Sequence, residues 1–166
     1  MAEPDFLKRV ETEADIARMV ALGERIWTEH YTPILAEGQV PYMLAHFHSA
    51  ETIREELVEK GYTYFLIVHG DLEVGYCGFL DEGETFYLSK FYLGSEARGL
   101  GLGRRALEYL GGLARSRGRR AIRLGVNKRN PSIAIYKRLG FRITDEMVVD
   151  IGGGYVLDDY AMEWAL

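Results

Sequence analysis

Arg98-Gly99-Leu100-Gly101-Leu102-Gly103 decides the reading of this chain. A strand-like run from Thr85 to Leu93 precedes it, and Leu107, Leu110, Leu113 and Ala114 recur at helical spacing after it. The glycines therefore lie between a strand and a helix. Glycine lets backbone N–H groups approach an anion with no Cβ in the way. The helix start adds unpaired donors and partial positive charge. Arg98 and Arg104 bracket the stretch with cations, so the whole suits a pyrophosphate. A Walker loop would end Gly-Lys-Ser/Thr, whereas this one ends Gly-Arg-Arg. A dinucleotide fingerprint needs G-x-G-x-x-G and an acid about 20 residues on. Here the spacing is G-x-G-x-G and position 123 is arginine. A purely structural turn would not need the arginine before the glycines.

The rest of the chain is read outward from this loop. Upstream, Tyr62–His69, Val74–Leu80 and Thr85–Leu93 are strands joined by Gly70-Asp71 and Asp81-Glu82-Gly83, an antiparallel meander. Before them come a short strand at Phe6–Val10 and a helix opened by Thr12 and Asp15, with Ile16, Met19, Val20, Ile26 and Trp27 at roughly helical spacing. Pro33 and Gly38 break that helix, and two more follow, over Pro41–His48 and from Ser49 to Gly61. Downstream, Gly118 ends the helix after the glycine loop and Ala121–Val126 is a strand. Asn130-Pro131 then opens a short helix with Asn130 at N-cap and Pro131 at N1, and Gly140 closes it. Phe141–Ile151 and Tyr155–Trp164 form a hairpin around Gly152-Gly153-Gly154. The order predicts an α/β (α+β) sandwich: a mixed sheet with helices on its faces, in a single domain over residues 1–166.

Composition limits the classes. At 166 residues, 48% apolar and 27% charged, the chain reads as a globular domain rather than a disordered one. No apolar run approaches the ~18 residues that span a bilayer, so no membrane partner is expected. Residues 1–10 lack the apolar core of a secretory signal, and a cytoplasmic location is expected. One cysteine, Cys77, makes no internal disulfide and no metal cluster. His46-Phe47-His48 has i, i+2 spacing, which does not share a helix face, so no metal is expected. The net charge of −5 hides an asymmetry: Arg98–Arg142 holds 13 basic residues and one acid, Glu108, for a net +12, leaving the remainder at −17. A basic block in an acidic chain suits one region built for an anion and another that favours a cation. No recognition-helix or aromatic stacking motif accompanies the arginines, and no nucleic-acid partner is expected.

A second segment adds the chemistry: Asn127-Lys128-Arg129-Asn130-Pro131-Ser132-Ile133-Ala134-Ile135-Tyr136-Lys137-Arg138-Leu139-Gly140-Phe141. Arg98, Gly101 and Gly103 match the R-x-x-G-x-G signature of the GCN5-related N-acetyltransferases (the GNAT superfamily). The second segment resembles the stretch of that family in which an Asn, a Tyr and a Gly-Phe pair recur. Tyr92–Ala97 stands where the family carries the end of its fourth strand and a proline-containing linker; Ser95 takes the proline's place here. The resemblance covers nearly the whole chain in element order. It implies a mostly antiparallel sheet of about seven strands with flanking helices.

The resemblance also implies acetyl-CoA as co-substrate and transfer of its acetyl group to a primary amine (a small molecule, a polyamine or a peptide amine) by direct attack through a tetrahedral intermediate. Arg98, Gly99, Leu100, Gly101, Leu102, Gly103 and Arg104 would hold the pyrophosphate. Asn130 and Ser132 would border the pantetheine arm, with helix capping as their simpler role. Tyr136 looks like the general acid for the leaving sulfur, a phenol with an ordinary pKa near ~10. The backbone N–H of Leu93, near a bulge in the fourth strand, would meet the developing oxyanion. The neighbouring N–H of Phe91 would meet the acyl arm. Glu29, His30 and Tyr31, with Glu84, are the candidates for the acceptor side; none is singled out as base. Some relatives pair through their C-terminal strands, which makes a homodimer one expected arrangement. A non-catalytic acyl-CoA sensor is the alternative, and the tyrosine at 136 argues against it.

Overall fold

The computed structural model describes residues 2–166. Seven strands form one sheet in the order β1-β2-β3-β4-β5-β7-β6. They are β1 (Leu7–Arg9), β2 (Thr63–His69), β3 (Leu72–Asp81), β4 (Thr85–Leu93), β5 (Ala121–Asn127), β6 (Arg142–Gly152) and β7 (Tyr155–Ala165). Every neighbouring pair is antiparallel except β4 and β5. The helices are α1 (Glu13–Tyr31), α2 (Gln39–Phe47), α3 (Ala50–Val58), α4 (Leu102–Ser116) and α5 (Ile133–Leu139), and a 3-10 turn spans Ser95–Ala97.

Two cores flank the sheet because β2 and β3 are apolar on both faces. Phe65, Ile67, Cys77 and Phe79 pack with Leu107, Leu110 and Ala114 of α4 and with Tyr136 of α5. Tyr64, Leu66 and Tyr76 point the other way, against Ile16, Met19, Ile26 and Trp27 of α1 and Ile53 of α3. Successive residues alternate between these cores as the two-residue pleat requires. Leu107 and Leu110 are fully buried, each contributing about 1.5–3 kcal/mol. Packing therefore holds α4 more than its own propensity does.

Local signals set the element ends. Thr12 and Asp15 form a reciprocal capping box at α1: Asp15 N–H donates to Thr12 Oγ1 at 3.1 Å and Thr12 N–H to an Asp15 oxygen at 3.0 Å. Backbone N–H donors hold the Asp15 carboxyl below its ordinary range. One boundary differs from the expectation. Helix α5 begins at Ile133, and Ser132 is already in helical conformation. Asn130 does act on the helix start, but through an Asx turn: its Oδ1 accepts the Ser132 N–H at 2.8 Å. That local bond competes with a helix beginning at Pro131.

Candidate functional site

The site arises where the sheet comes apart. Strands β4 and β5 pair only through Thr85, Phe86 and Tyr87. Beyond Tyr87 they diverge, while β4 stays bonded to β3 as far as Leu93. A bulge lies in β4: Gly78 faces Lys90 and Phe79 faces Leu88, leaving Ser89 as the extra residue. Bulges bend and twist a strand, which suits this divergence. The bulge stands four residues before Leu93 rather than at it.

The open edge of β4 carries unused donors. Gly94 N–H bonds to Val74 O of β3 at 2.8 Å. Successive amides alternate sides along a strand, so the N–H groups of Leu93 and Phe91 turn away from β3, toward the wedge. No strand of the sheet pairs with β4 there.

The glycine loop lies at the end of this edge. Gly99 and Gly101 take left-handed backbone, φ +77° and +71°, and a Cβ at either would meet no atom within 4 Å. The loop is thus open on the side where an anion would approach. Gly103 is different: a Cβ there would crowd Leu93 Cδ1 at 3.0 Å and Phe91 Cζ at 3.2 Å, so this glycine brings α4 tightly onto β4. Helix α4 has no side-chain cap and no acid in its first turn. Its first intrahelical bond comes from Arg105 N–H to Gly101 O at 3.1 Å. The amides of Leu102, Gly103 and Arg104 precede it, where helix geometry leaves donors free. Arg98 is exposed, and among the described residues no acid lies in ion-pair range of it. Arg104 instead pairs with Glu108 at 2.9 Å on the solvent face.

Next to the wedge is a cavity of about 620 Å³. Trp27 and Tyr31 of α1, Tyr87, Leu88, Ser89, Phe91 and Tyr92 of β4, residues of β5 and the β6–β7 hairpin line it, and Tyr136 reaches it. The Tyr136 ring lies 6.1 Å from Phe91 and 5.4 Å from Phe141. Burial pushes its phenol well above the ordinary range, with Tyr31 adding to the shift. Burial therefore favours the protonated hydroxyl. Across the cavity, Asn130 Nδ2 donates to Tyr31 Oη at 3.0 Å. Asn130 thus ties the end of α1 to the start of α5. Burial, with a contribution from Asp159, pushes the Tyr31 phenol to about 12.

Three charged side chains line the cavity, and two are neutralised. Arg123 makes two 2.7 Å hydrogen bonds to Glu82, and Glu163 accepts from Arg120 at 2.9 Å. Asp159 has no ion-pair partner among the described residues, and its Oδ1 is buried without a hydrogen bond. Burial, then the Asp158 charge, raises its carboxyl above the ordinary range.

The residues read from the sequence divide accordingly. Tyr31, Phe91, Asn130 and Tyr136 line the cavity. Leu93 lies at the wedge edge and Ser132 beneath the Asn130 turn. Glu29 and His30 share α1 with Tyr31 but do not line the cavity, because one helical turn presents only one of the three residues. Glu84 is exposed at the opposite end of β4, beside Arg120. Asp159 is not singled out by the sequence reading, where it is one residue of the predicted final strand Tyr155–Trp164. The available signal was alternation, since Leu157, Asp159 and Ala161 share the inward face.

Other singled-out residues lie elsewhere. Cys77 is buried, its thiol pushed up to about 12. His48 is buried against Trp27 and Tyr76, and His46 stacks on Tyr42 at the surface. Much of the basic block is used internally: Arg117 and Arg119 hold Asp81, and Lys128 holds Glu146 and Asp158. Among the described residues, no helix is long and apolar enough to cross a membrane, and no three His, Cys, Asp or Glu side chains group to hold a metal ion.

The sequence pattern of the Acetyltransferase (GNAT) family matches residues 24–141. No curated protein sequence matches the chain. Among solved structures, the PaiA N-acetyltransferase of Thermoplasma acidophilum, in complex with coenzyme A, superposes with a TM-score of 0.79 at 18% identity, over 95% of this chain and 97% of its own. A ribosomal-protein-alanine N-acetyltransferase of Brucella melitensis gives 0.67 at 27% identity, over 95% and 98%. YncA of Salmonella typhimurium, a structure that holds its cofactor acetyl-CoA, gives 0.63 at 24% identity, over 98% and 95%.

Proposed function

This chain belongs to the acetyltransferase (GNAT) family, and from that premise we propose that it is an N-acetyltransferase, a single domain that uses acetyl-CoA to acetylate a primary amine. The observation that carries this reading is the wedge beyond Tyr87, with an anion-ready loop at its end and Tyr136 lining the cavity beside it. Acetyl-CoA supplies an activated acetyl thioester. The open backbone of Gly99 and Gly101, the first amides of α4 and the Arg98 guanidinium hold its pyrophosphate. The space above those glycines fits that role, because no protein atom fills the place a Cβ would take.

The chain's own groups then divide the work. Leu93 N–H donates to the thioester oxygen as it gains charge, and Phe91 N–H holds the arm beside it. Preorganised donors of this kind are worth about 10²–10³ in rate each. Tyr136 donates its proton to the sulfur as it leaves, and the proton lost by the attacking nitrogen restores the phenol, whose neutral form burial favours. Asn130 fixes the start of α5, and so Tyr136, against Tyr31.

The test is a thermal melt with and without acetyl-CoA, paired with steady-state kinetics of Tyr136→Phe. The expected result is stabilisation of both proteins by acetyl-CoA and a fall in kcat confined to the variant. No stabilisation of the wild type would overturn the reading.

A further inference from the structure

The cavity beside the wedge has a chemistry of its own. Its walls are aromatic and apolar: Trp27, Tyr31 and Tyr92 lie at mutual ring distances of 5.3–6.3 Å, and Met43, Met147 and Leu157 add soft apolar surface. Of its three charged lining groups only Asp159 lacks a counter-charge, and its Oδ1 is buried with no donor. A buried acceptor left unpaired is costly, and a positively charged donor entering the cavity would satisfy it. Aromatic faces attract the same cation.

We propose that Asp159 receives the ammonium group of the acceptor, which gives up a proton to solvent before its nitrogen attacks, and that the acceptor is a monocation with an apolar body, such as an arylalkyl- or alkylamine. This rests on the acetyltransferase reading and names the substrate class of that same site. The neutralised Arg123 and Glu163 leave no second free acid among the lining residues, so a polyamine finds only one counter-charge. Gly125 lies beside the carboxylate: a Cβ there would make ordinary contacts, 3.7 Å from Asp159 Oδ2 and 3.8 Å from Met147 Cε, and a larger side chain would extend into the space next to them. Its backbone is not left-handed, so a side chain can be added without strain.

The experiment uses binding and not turnover. Phenethylammonium, its neutral isostere 2-phenylethanol and spermidine are titrated into the protein saturated with coenzyme A, read by tryptophan fluorescence, to which Trp27 of the cavity contributes, and by calorimetry. The wild type is expected to bind phenethylammonium about tenfold or more tighter than the alcohol, and tighter than spermidine. Asp159→Asn is expected to abolish the preference over the alcohol while leaving coenzyme A affinity and the melting temperature near wild type. Gly125→Val, which fills the space beside the carboxylate, is expected to weaken phenethylammonium about tenfold or more in a fully folded protein. A preference that survives Asp159→Asn, equal or absent binding of amine and alcohol by the wild type, or tighter binding of spermidine would each overturn the proposal. The two readings separate: charge-selective, Asp159-dependent binding without thioester consumption sinks the acetyltransferase reading alone. Turnover of amines with no dependence on Asp159 sinks this one alone.

Discussion

Gly101→Ala separates a glycine kept for the turn from one kept for a ligand. Gly101 has φ +71°, and an alanine Cβ there would touch no protein atom within 4 Å. The folded-state cost is therefore the left-handed backbone alone, about 1–2 kcal/mol for a residue with a Cβ. Reduced freedom of the unfolded chain offsets about 0.4–1 kcal/mol of it. The net loss is about 1 kcal/mol, or about 2–4 °C in melting temperature for a chain of this size. Gly118, at the far end of α4, has φ +73° and equally open surroundings, so Gly118→Ala carries the same cost. The two glycines lie about 22 Å apart along the 15-residue helix. Only Gly101 faces the proposed pyrophosphate. Losing one charge-assisted bond there costs about 1.5–3 kcal/mol, or about 10–100-fold in affinity. Calorimetric titration with acetyl-CoA, beside melting curves for both variants, gives the answer. The account expects matched melting temperatures and an affinity loss at Gly101 alone. Equal acetyl-CoA affinity in the two variants would refute the assignment of the loop.

Three further outcomes are expected. Tyr136→Phe lowers kcat by about 10²–10⁴ with acetyl-CoA affinity unchanged, as removal of a general acid does; stopped-flow and equilibrium titration separate the two. Gly111→Ala destabilises, since its Cβ would meet the Trp164 ring at 2.7–2.8 Å; overpacking of about 1–3 kcal/mol outweighs the ~1 kcal/mol gained in helix propensity, and chemical denaturation measures the net. Asp81 is held down to about 2 from 3.8 chiefly by its hydrogen bond to Arg119. A depressed carboxylate stabilises fully above its unfolded pKa, and that stability is lost as pH falls from ~4 through ~2. Asp81→Asn is expected to flatten that limb of an acid titration followed by circular dichroism, and an unchanged limb would remove the ion pair from the account.

Much of the fold is legible in the sequence because its signals are local. The capping box at Thr12, the turns at Gly70 and Gly83 and the C-terminal Gly-Gly-Gly each act within a few residues. The meander and the loop–helix junction follow from period-two and helical spacing. What eludes reading is set by distance in the chain. Asp159 becomes an acid of the site only because β7 pairs with β5 and places it opposite Asn127. Arg123 and Glu163 lose their significance only once Glu82 and Arg120 are seen to neutralise them. Glu84 lies just before the strand that carries the site, at the end away from the wedge, a matter of which way the strand runs. The α5 boundary departs from the sequence expectation because an Asn side chain bonding two residues on competes with the helix it precedes.

The most direct measurement is a single reaction mixture of this protein, acetyl-CoA and phenethylamine, followed for free thiol by absorbance and for acetylated amine by mass spectrometry. The account predicts that thiol and N-acetyl product appear together in equal amounts, and that Tyr136→Phe slows both by the same factor. Thiol release without acetylated amine, or no consumption of acetyl-CoA with any primary amine, would contradict it.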